Sequence, residues 1–200
     1  YSYLTSVPNM SVMAPKNLWE LQDMLDFAVT YDRPLAIRYP RGQAYRGLRE
    51  FRAPVEYGKG EMLFEEEDYA LLAVGSMVST AEHVREKWKE AGFSCSLANG
   101  RFVKPIDTDL LDRLAERHGK LVTLEENVLQ GGYGLAVTAY VHEHYPEIKV
   151  LNIALPDAYV EHGNVSLLRE CLGIDSDSVI RRMRQFFLEE DTDENMRRDG

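Results

Sequence analysis

The chain has little of what marks a secreted, metal-dependent or nucleic-acid-binding protein. Cysteine occurs twice in 200 residues, as Cys95 and Cys171. Two are too few for a disulfide framework and lack the paired spacing of a metal site. Both are read as buried free thiols, because an unpaired cysteine packs as a small hydrophobe. Lysine and arginine number 23 against 33 acids, a formal net charge of −10, and no basic stripe stands out. That excludes nucleic acid and an anionic membrane surface as expected partners, since both are held by cations set against phosphates. No apolar run approaches the roughly 18 to 20 residues that span a bilayer, and no basic segment leads into an apolar stretch at the N-terminus. The expected location is cytoplasmic. A Gly-x-Ser-x-Gly nucleophile motif is missing as well. His142 and His144, two positions apart, diverge on a helix and cannot chelate together. His83 and His118 are placed on helices, facing solvent.

What is present is an alternation of strand and helix signals. Ser11-Val12-Met13-Ala14 reads as a short strand, and Pro15 sits where a first helical turn tolerates a missing N–H. Leu18, Leu21, Leu25, Ala28 and Val29 give one apolar face to a helix over about 16–30. A strand over 34–39 closes a β-α-β crossover. Such a unit needs neighbouring strands and helices on its sheet, and forty residues cannot supply them, so it reads as the end of a sheet begun elsewhere. From Gly42 to Gly60 no period is sustained, which marks a connection and a domain boundary.

A second pattern follows, with strands over 61–65, 69–74, 94–98, 121–124 and 150–153. Helices are expected over 77–91, from a cap at Asp107 through Ala115, and over 133–145, 165–172 and 176–188. The fold class is α/β, a mostly parallel sheet covered by helices on both faces. The division is 1–50, 51–188, and a disordered acidic tail over 189–200, where six acids stand against two arginines.

Arg41 is the leading candidate for chemistry. It follows the strand Pro34-Leu35-Ala36-Ile37 in the run Arg38-Tyr39-Pro40-Arg41-Gly42-Gln43, and the carboxyl end of a strand in an open α/β sheet faces the ligand crevice. Its planar fork matches phosphate oxygens; taken alone, it also reads as a surface arginine paired with an acid. Arg38 is open to two readings, a ligand contact or a structural ion pair, and Tyr39 lies between them. Gly131-Gly132-Tyr133-Gly134 opens a helix without the full dinucleotide spacing, so close backbone packing is the better reading. Glu125 and Glu126 end a buried strand, placed to cap the next helix or bridge to another subunit, or to act as acid or base. His162 lies in a loop after the last strand, where a histidine can shuttle protons.

Several runs together carry a resemblance: Met13-Ala14-Pro15-Lys16, Ala36-Ile37-Arg38-Tyr39-Pro40-Arg41-Gly42, Gly58-Lys59-Gly60, Arg101 through Asp107, Val122 through Asn127, Gly131 through Gly134, and Leu155-Pro156-Asp157 with His162-Gly163. In this order they resemble the 1-deoxy-D-xylulose-5-phosphate synthase family, from about residue 3 to 188. The resemblance implies a transketolase-like enzyme of three α/β domains. Residues 1 to about 50 match the end of a thiamine-pyrimidine-binding domain, and the rest matches the whole C-terminal domain.

In that family a thiamine diphosphate carbanion adds to pyruvate, carbon dioxide leaves, and the enamine attacks the aldehyde of glyceraldehyde 3-phosphate. Arg41 matches the arginine that holds this phosphate; Arg38, Tyr39 and His162 are its expected supports. The Gly-Asp-Gly motif for Mg2+ and diphosphate is not found, nor is the glutamate that activates the aminopyrimidine. The chain alone is thus expected to bind neither thiamine diphosphate nor Mg2+ and to be inactive. The expected partners are the remainder of the synthase, a second subunit and the phosphorylated aldehyde. Two rival readings are a non-catalytic α/β binding or assembly module and the β subunit of a 2-oxo acid dehydrogenase, which has no need of the Arg-Tyr-Pro-Arg-Gly run.

Overall fold

The structure, a computed structural model, describes residues 1–189. In chain order its elements are α1 (Ser2–Thr5), β1 (Ser11–Met13), α2 (Leu18–Thr30), β2 (Leu35–Ile37), β3 (Glu61–Phe64), β4 (Tyr69–Ala73), α3 (Met77–Glu90), β5 (Cys95–Asn99), β6 (Phe102–Lys104), α4 (Thr108–Ala115), β7 (Lys120–Val128), α5 (Tyr133–His144), β8 (Lys149–Leu155), α6 (Val165–Cys171) and α7 (Ser176–Arg184). A π-helical turn over Gln185–Glu189 ends the described part. The acidic tail read from residue 189 otherwise lies outside the described residues.

Five strands form the main sheet in the order β3-β5-β4-β7-β8, parallel except for the edge strand β3, which runs antiparallel to β5. The two-residue period of a strand explains how it is covered. Tyr69, Leu71 and Ala73 of β4 face one core with Val78, Ala81, Val84 and Trp88 of α3 and Val179 and Met183 of α7. Ala70 and Leu72, followed by Val74, face the other with Leu110, Leu111 and Leu114 of α4 and Val137 and Val141 of α5. A central strand buried on both faces is the signature of a helix-covered parallel sheet. Helix starts follow their capping residues: Asp107 accepts from the Leu110 N–H at 3.2 Å and Asp175 from the Ser178 N–H at 3.2 Å.

The order of strands creates a crevice. From β4 the chain crosses through α3 to β5 on one side; the later crossover reaches β7 on the other. The sheet's winding therefore reverses at the carboxyl ends of β4 and β7, where open α/β sheets hold their ligands.

The N-terminal segment packs against this body rather than standing apart. β1 and β2 pair in parallel as expected, but a third strand joins them: β6 runs antiparallel to β1, with Val12 opposite Lys104 and Met13 opposite Phe102. Sequence reasoning did not read 102–104 as a strand. Arg101, at φ +55°, turns the chain between β5 and β6 so that each serves a different sheet.

Behind that turn lies a buried charge network. The Lys16 ammonium sits 3.1 Å from Glu20 and 2.6 Å from Glu61. The Arg101 guanidinium sits 2.9 Å from Glu20 and 3.1 Å from Glu61, and also donates to the carbonyls of Ala53 and Pro54. The Asn99 amide donates to Glu20 at 2.8 Å. All five side chains are buried, so α2, the connection after β2, β3 and the β5–β6 turn are tied at one point.

Three expectations are corrected. The stripe Leu18, Leu21, Leu25, Ala28 and Val29 is not what α2 buries; Glu20 and Met24 are, while Leu18, Leu25 and Val29 are 39%, 51% and 86% exposed. The polar network and Met24, packed with Met13 and Phe102, set the helix's rotation. His118 is neither helical nor solvated: it follows α4, buried between the Glu67 carbonyl at 2.9 Å and the Ser96 hydroxyl at 3.0 Å. Its ring fills the space beneath the loop before β4. Cys95 is buried as expected, but Cys171, at the end of α6, is exposed because α6 buries none of its residues.

Candidate functional site

Two adjacent carboxylates at the crevice are put to opposite uses. β7 slips register against β8 between Leu124 and Val128, an irregularity of the kind that bends a strand and re-aims its side chains. Glu125 turns toward α5 and accepts from the backbone N–H groups of Tyr133 and Gly134, both at 2.8 Å. It therefore caps α5 from outside the helix. The approach is possible only over glycine: a Cβ on Gly132 would lie 2.6 Å from both the Glu125 Oε1 and the Val128 carbonyl, and one on Gly134 would lie 2.6 Å from Asn152 Oδ1 and Thr123 Oγ1. The Gly131-Gly132-Tyr133-Gly134 run is thus a close-packing device at a helix start.

Burial pushes the Glu125 carboxyl up to about 7, although the two N–H donors act to lower it. Its value in the folded chain lies above the ordinary 4.5 of the unfolded one. The native state therefore binds the extra proton between these values, and the stability this contributes is present in acid and lost as pH rises through about 7. Denaturant midpoints should fall across the range from about pH 5 to 7.5, and Glu125→Gln should flatten that slope. An unchanged slope in the variant would show that Glu125 titrates normally.

Glu126 points the other way and joins three separate parts of the chain. It accepts from the Ser76 hydroxyl at 2.6 Å, from Arg38 at 3.2 Å and from Arg169 at 3.3 Å. Burial acts to raise this carboxyl, but the Ser76 hydroxyl and the two guanidiniums prevail and hold it below the usual range. Ser76 begins α3 at the end of β4, Arg38 follows β2, and Arg169 lies on α6. The Glu126–Ser76 bond spans the point where the sheet's winding reverses.

Beside this hub opens a cleft of about 780 Å³. The 38–43 run supplies one wall through Tyr39, Arg41 and Gln43; Ser76, Ser79 and Arg169 stand among the other lining residues. Among the described residues no aspartate or glutamate lines it, in a chain where acids outnumber bases by ten. Arg41 is exposed, with no ion pair or hydrogen bond among the described residues.

Of the residues named from sequence, the structure brings Tyr39 and Arg41 to the cleft and places Arg38 behind it, on Glu126. His162 lies exposed in the connection between β8 and α6, outside the cleft's lining. Arg169 and Ser76 were missed. Nothing in the sequence distinguishes Arg169 from other helix-surface arginines, and Ser76 would emerge only from knowing that β4 ends at the reversal point. Among the described residues no three His, Cys, Asp or Glu side chains are grouped to hold a metal ion. No described helix is long and apolar enough to cross a membrane.

Known proteins resemble this chain over most of its length. It is 45% identical over 183 residues to a 1-deoxy-D-xylulose-5-phosphate synthase of Lachnoclostridium phytofermentans, covering 91% of this chain and 29% of that protein. It is 44% identical over 187 residues to 1-deoxy-D-xylulose-5-phosphate synthase 1 of Geobacter metallireducens, covering 92% and 30%. The chain thus corresponds to the C-terminal portion of such synthases and spans under a third of their length. Among solved structures, a split-gene transketolase determined as an inactive β4 tetramer superposes with a TM-score of 0.84 at 26% identity, covering 92% of this chain and 59% of that one. A transketolase from Campylobacter jejuni shares the fold at a TM-score of 0.68 and 18% identity, over 92% and 27%. Residues 58–179 match the family described as transketolase, C-terminal domain, and with that span exceeding half its length the chain belongs to this family.

Proposed function

We propose that this chain serves as the C-terminal part of a cytoplasmic, thiamine-diphosphate-dependent synthase. The enzyme condenses pyruvate with glyceraldehyde 3-phosphate to 1-deoxy-D-xylulose 5-phosphate and carbon dioxide, a precursor for isoprenoid, thiamine and pyridoxal biosynthesis. The chain's own task is to hold the acceptor's phosphate with Arg41. The observation that carries this is a cleft beside the reversal point of the sheet that no described acid lines, bordered by an arginine without an ion pair among the described residues. Opposed to a dianion, such a guanidinium gives two parallel charge-assisted hydrogen bonds.

On this reading residues 1–50 complete a pyrimidine-binding domain whose other strands, with the groups for thiamine diphosphate and Mg2+, belong to the rest of the synthase. Among the described residues no set of side chains fits Mg2+, and on this reading the chemical steps belong to the rest of the synthase. The exposed Leu18, Leu25 and Val29 of α2 are the apolar surface that the remaining domain, or a second subunit, covers. The likeness to a split-gene chain that is inactive as a tetramer supports inactivity of this chain alone.

The test is turnover of pyruvate and glyceraldehyde 3-phosphate by the pure chain, and by the chain supplied with the missing domains. The expected outcome is none in the first case and product formation in the second. Decarboxylation of pyruvate by the pure chain would contradict this division of labour.

A further inference from the structure

We infer that the loop over 156–164 and helix α6 form the surface on which the polypeptide preceding Tyr1 docks in the complete protein. This rests on the function proposed above, which places the rest of the synthase before Tyr1, and it gives a role to a surface that function leaves unassigned. Every residue from 156 to 167 is exposed. Four large apolar side chains stand in that run: Tyr159 and Val160 in the loop, Val165 and Leu167 on α6. Tyr159 is fully exposed, and Leu167 is 62% exposed.

α6 is not held as a helix by packing of its own. It has seven residues and buries none of them, and isolated helices that short are marginal in water. Its attachments are few. Asn164 caps it, accepting from the Ser166 N–H at 2.9 Å, Arg169 meets Glu126 at 3.3 Å, and Leu172 just beyond it touches the core. They fix its place and leave Val165 and Leu167 facing solvent. Apolar groups presented together in this way mark a contact with another protein surface.

The occupant follows from where the chain starts. The Tyr1 amino group donates to Asn127 Oδ1 at 3.0 Å, and the Arg38 guanidinium lies over the Tyr1 ring, 5.8 Å from its centre. Arg38 and Arg169 share the Glu126 carboxylate, so Tyr1 and α6 are gathered at one hub. The chain covers only 29% and 30% of the two synthases it matches. Polypeptide running back from Tyr1 therefore leaves the hub beside α6 and is tethered there, as a second copy of this chain is not. Asp157 and Glu161 flank Tyr159 and Val160 in the loop. The fitting partner surface is thus apolar with Lys or Arg at its edge, since opposite charge selects the partner.

The test is amide hydrogen exchange, read on peptides by mass spectrometry, in the 200-residue chain alone and in the complete polypeptide. Peptides over 156–172 should exchange fast in the chain alone at every concentration, and slower by about tenfold or more in the complete polypeptide. Leu167→Asp gives a second readout. An acid in the first turn of a helix suits its dipole, so the chain alone should keep its Tm within about 2 °C. In the complete polypeptide the same charge is set against an apolar partner, and exchange over 156–172 should return toward the free rate.

If exchange slows in the chain alone as its concentration rises, a second copy covers the surface and the inference is overturned. Equal exchange in the two forms also overturns it, while turnover of pyruvate and glyceraldehyde 3-phosphate by that complete polypeptide would leave the proposed function standing. A marked loss of Tm in the Leu167→Asp chain alone would show that Leu167 packs within the chain, again against the inference. Slowed exchange in a complete polypeptide that forms no product upholds the docking surface and removes the proposed function.

Discussion

On the function proposed above, replacing Arg41 by alanine in the complete enzyme should raise the KM for glyceraldehyde 3-phosphate by about 10- to 100-fold and leave the KM for pyruvate within about twofold. The size follows from the contact that is lost. A hydrogen bond to a charged group contributes about 1.5–3 kcal/mol, and each 1.4 kcal/mol is a factor of ten. The upper end of the range applies if the fork engages two phosphate oxygens, the lower if one.

The effect should be specific because Arg41 is exposed and, among the described residues, pairs with nothing. Removing it leaves no buried partner orphaned and no cavity, so stability should barely change. Unphosphorylated glyceraldehyde provides the internal control: its turnover should be nearly the same in parent and variant. Arg41→Lys should recover only part of the loss, since an ammonium restores charge without the planar fork. Steady-state kinetics with each substrate varied in turn decide the matter, and an unchanged KM and kcat for the phosphorylated acceptor would remove Arg41 from the site.

What could be read from sequence was whatever local periodicity records. Tyr69 to Val74, the α3 face through Trp88 and the α4 leucines were legible because strand and helix periods there coincide with burial. β6 was not, because Phe102-Val103-Lys104 is three residues long, directly precedes Pro105, and pairs with a strand far away in sequence. α2 misled for a different reason. Its leucine stripe has a clear helical period, but Asn17 caps the helix while its amide donates to the Gly47 and Leu48 carbonyls, and Glu20 is drawn into the charge network. The polar face therefore turned inward.

The site divided along the same line. Arg41 could be named as a candidate from its place after a strand, and it lines the cleft, whereas Glu126 acquires its meaning only from Arg38, Ser76 and Arg169, which no local pattern connects. His118 shows the limit of a default: one histidine after a helix looks solvated until the loop that covers it is known.

The largest loss of stability should come from the buried network, through Arg101→Ala. This side chain is almost wholly buried and has two carboxylates and two backbone carbonyls as partners. Its removal leaves Glu20 and Glu61 facing a single ammonium, with the Ala53 and Pro54 carbonyls losing their donor. Breaking a buried pair by deleting one partner costs about 3–5 kcal/mol. For a chain of this size each kcal/mol lowers the Tm by about 2–4 °C, so a drop on the order of 10 °C is expected in a thermal scan. Arg52→Ala is the contrast, since that guanidinium meets Asp23 in the open and its loss should shift the Tm far less.

The decisive comparison is non-additive. Arg101→Met combined with Glu61→Gln removes one charge of each sign and leaves Lys16 with Glu20, still 3.1 Å apart. The double variant should be more stable than Arg101→Met alone, because the penalty lies in the uncompensated charge rather than in the absence of a bond. If the double variant instead loses the sum of the single losses, the network is merely four independent contacts. If it recovers, the network holds α2 and the β5–β6 turn in one fixed arrangement. The 38–43 run then reaches the cleft from a rigid base, so that Arg101→Ala should also weaken phosphate binding from a site it does not touch.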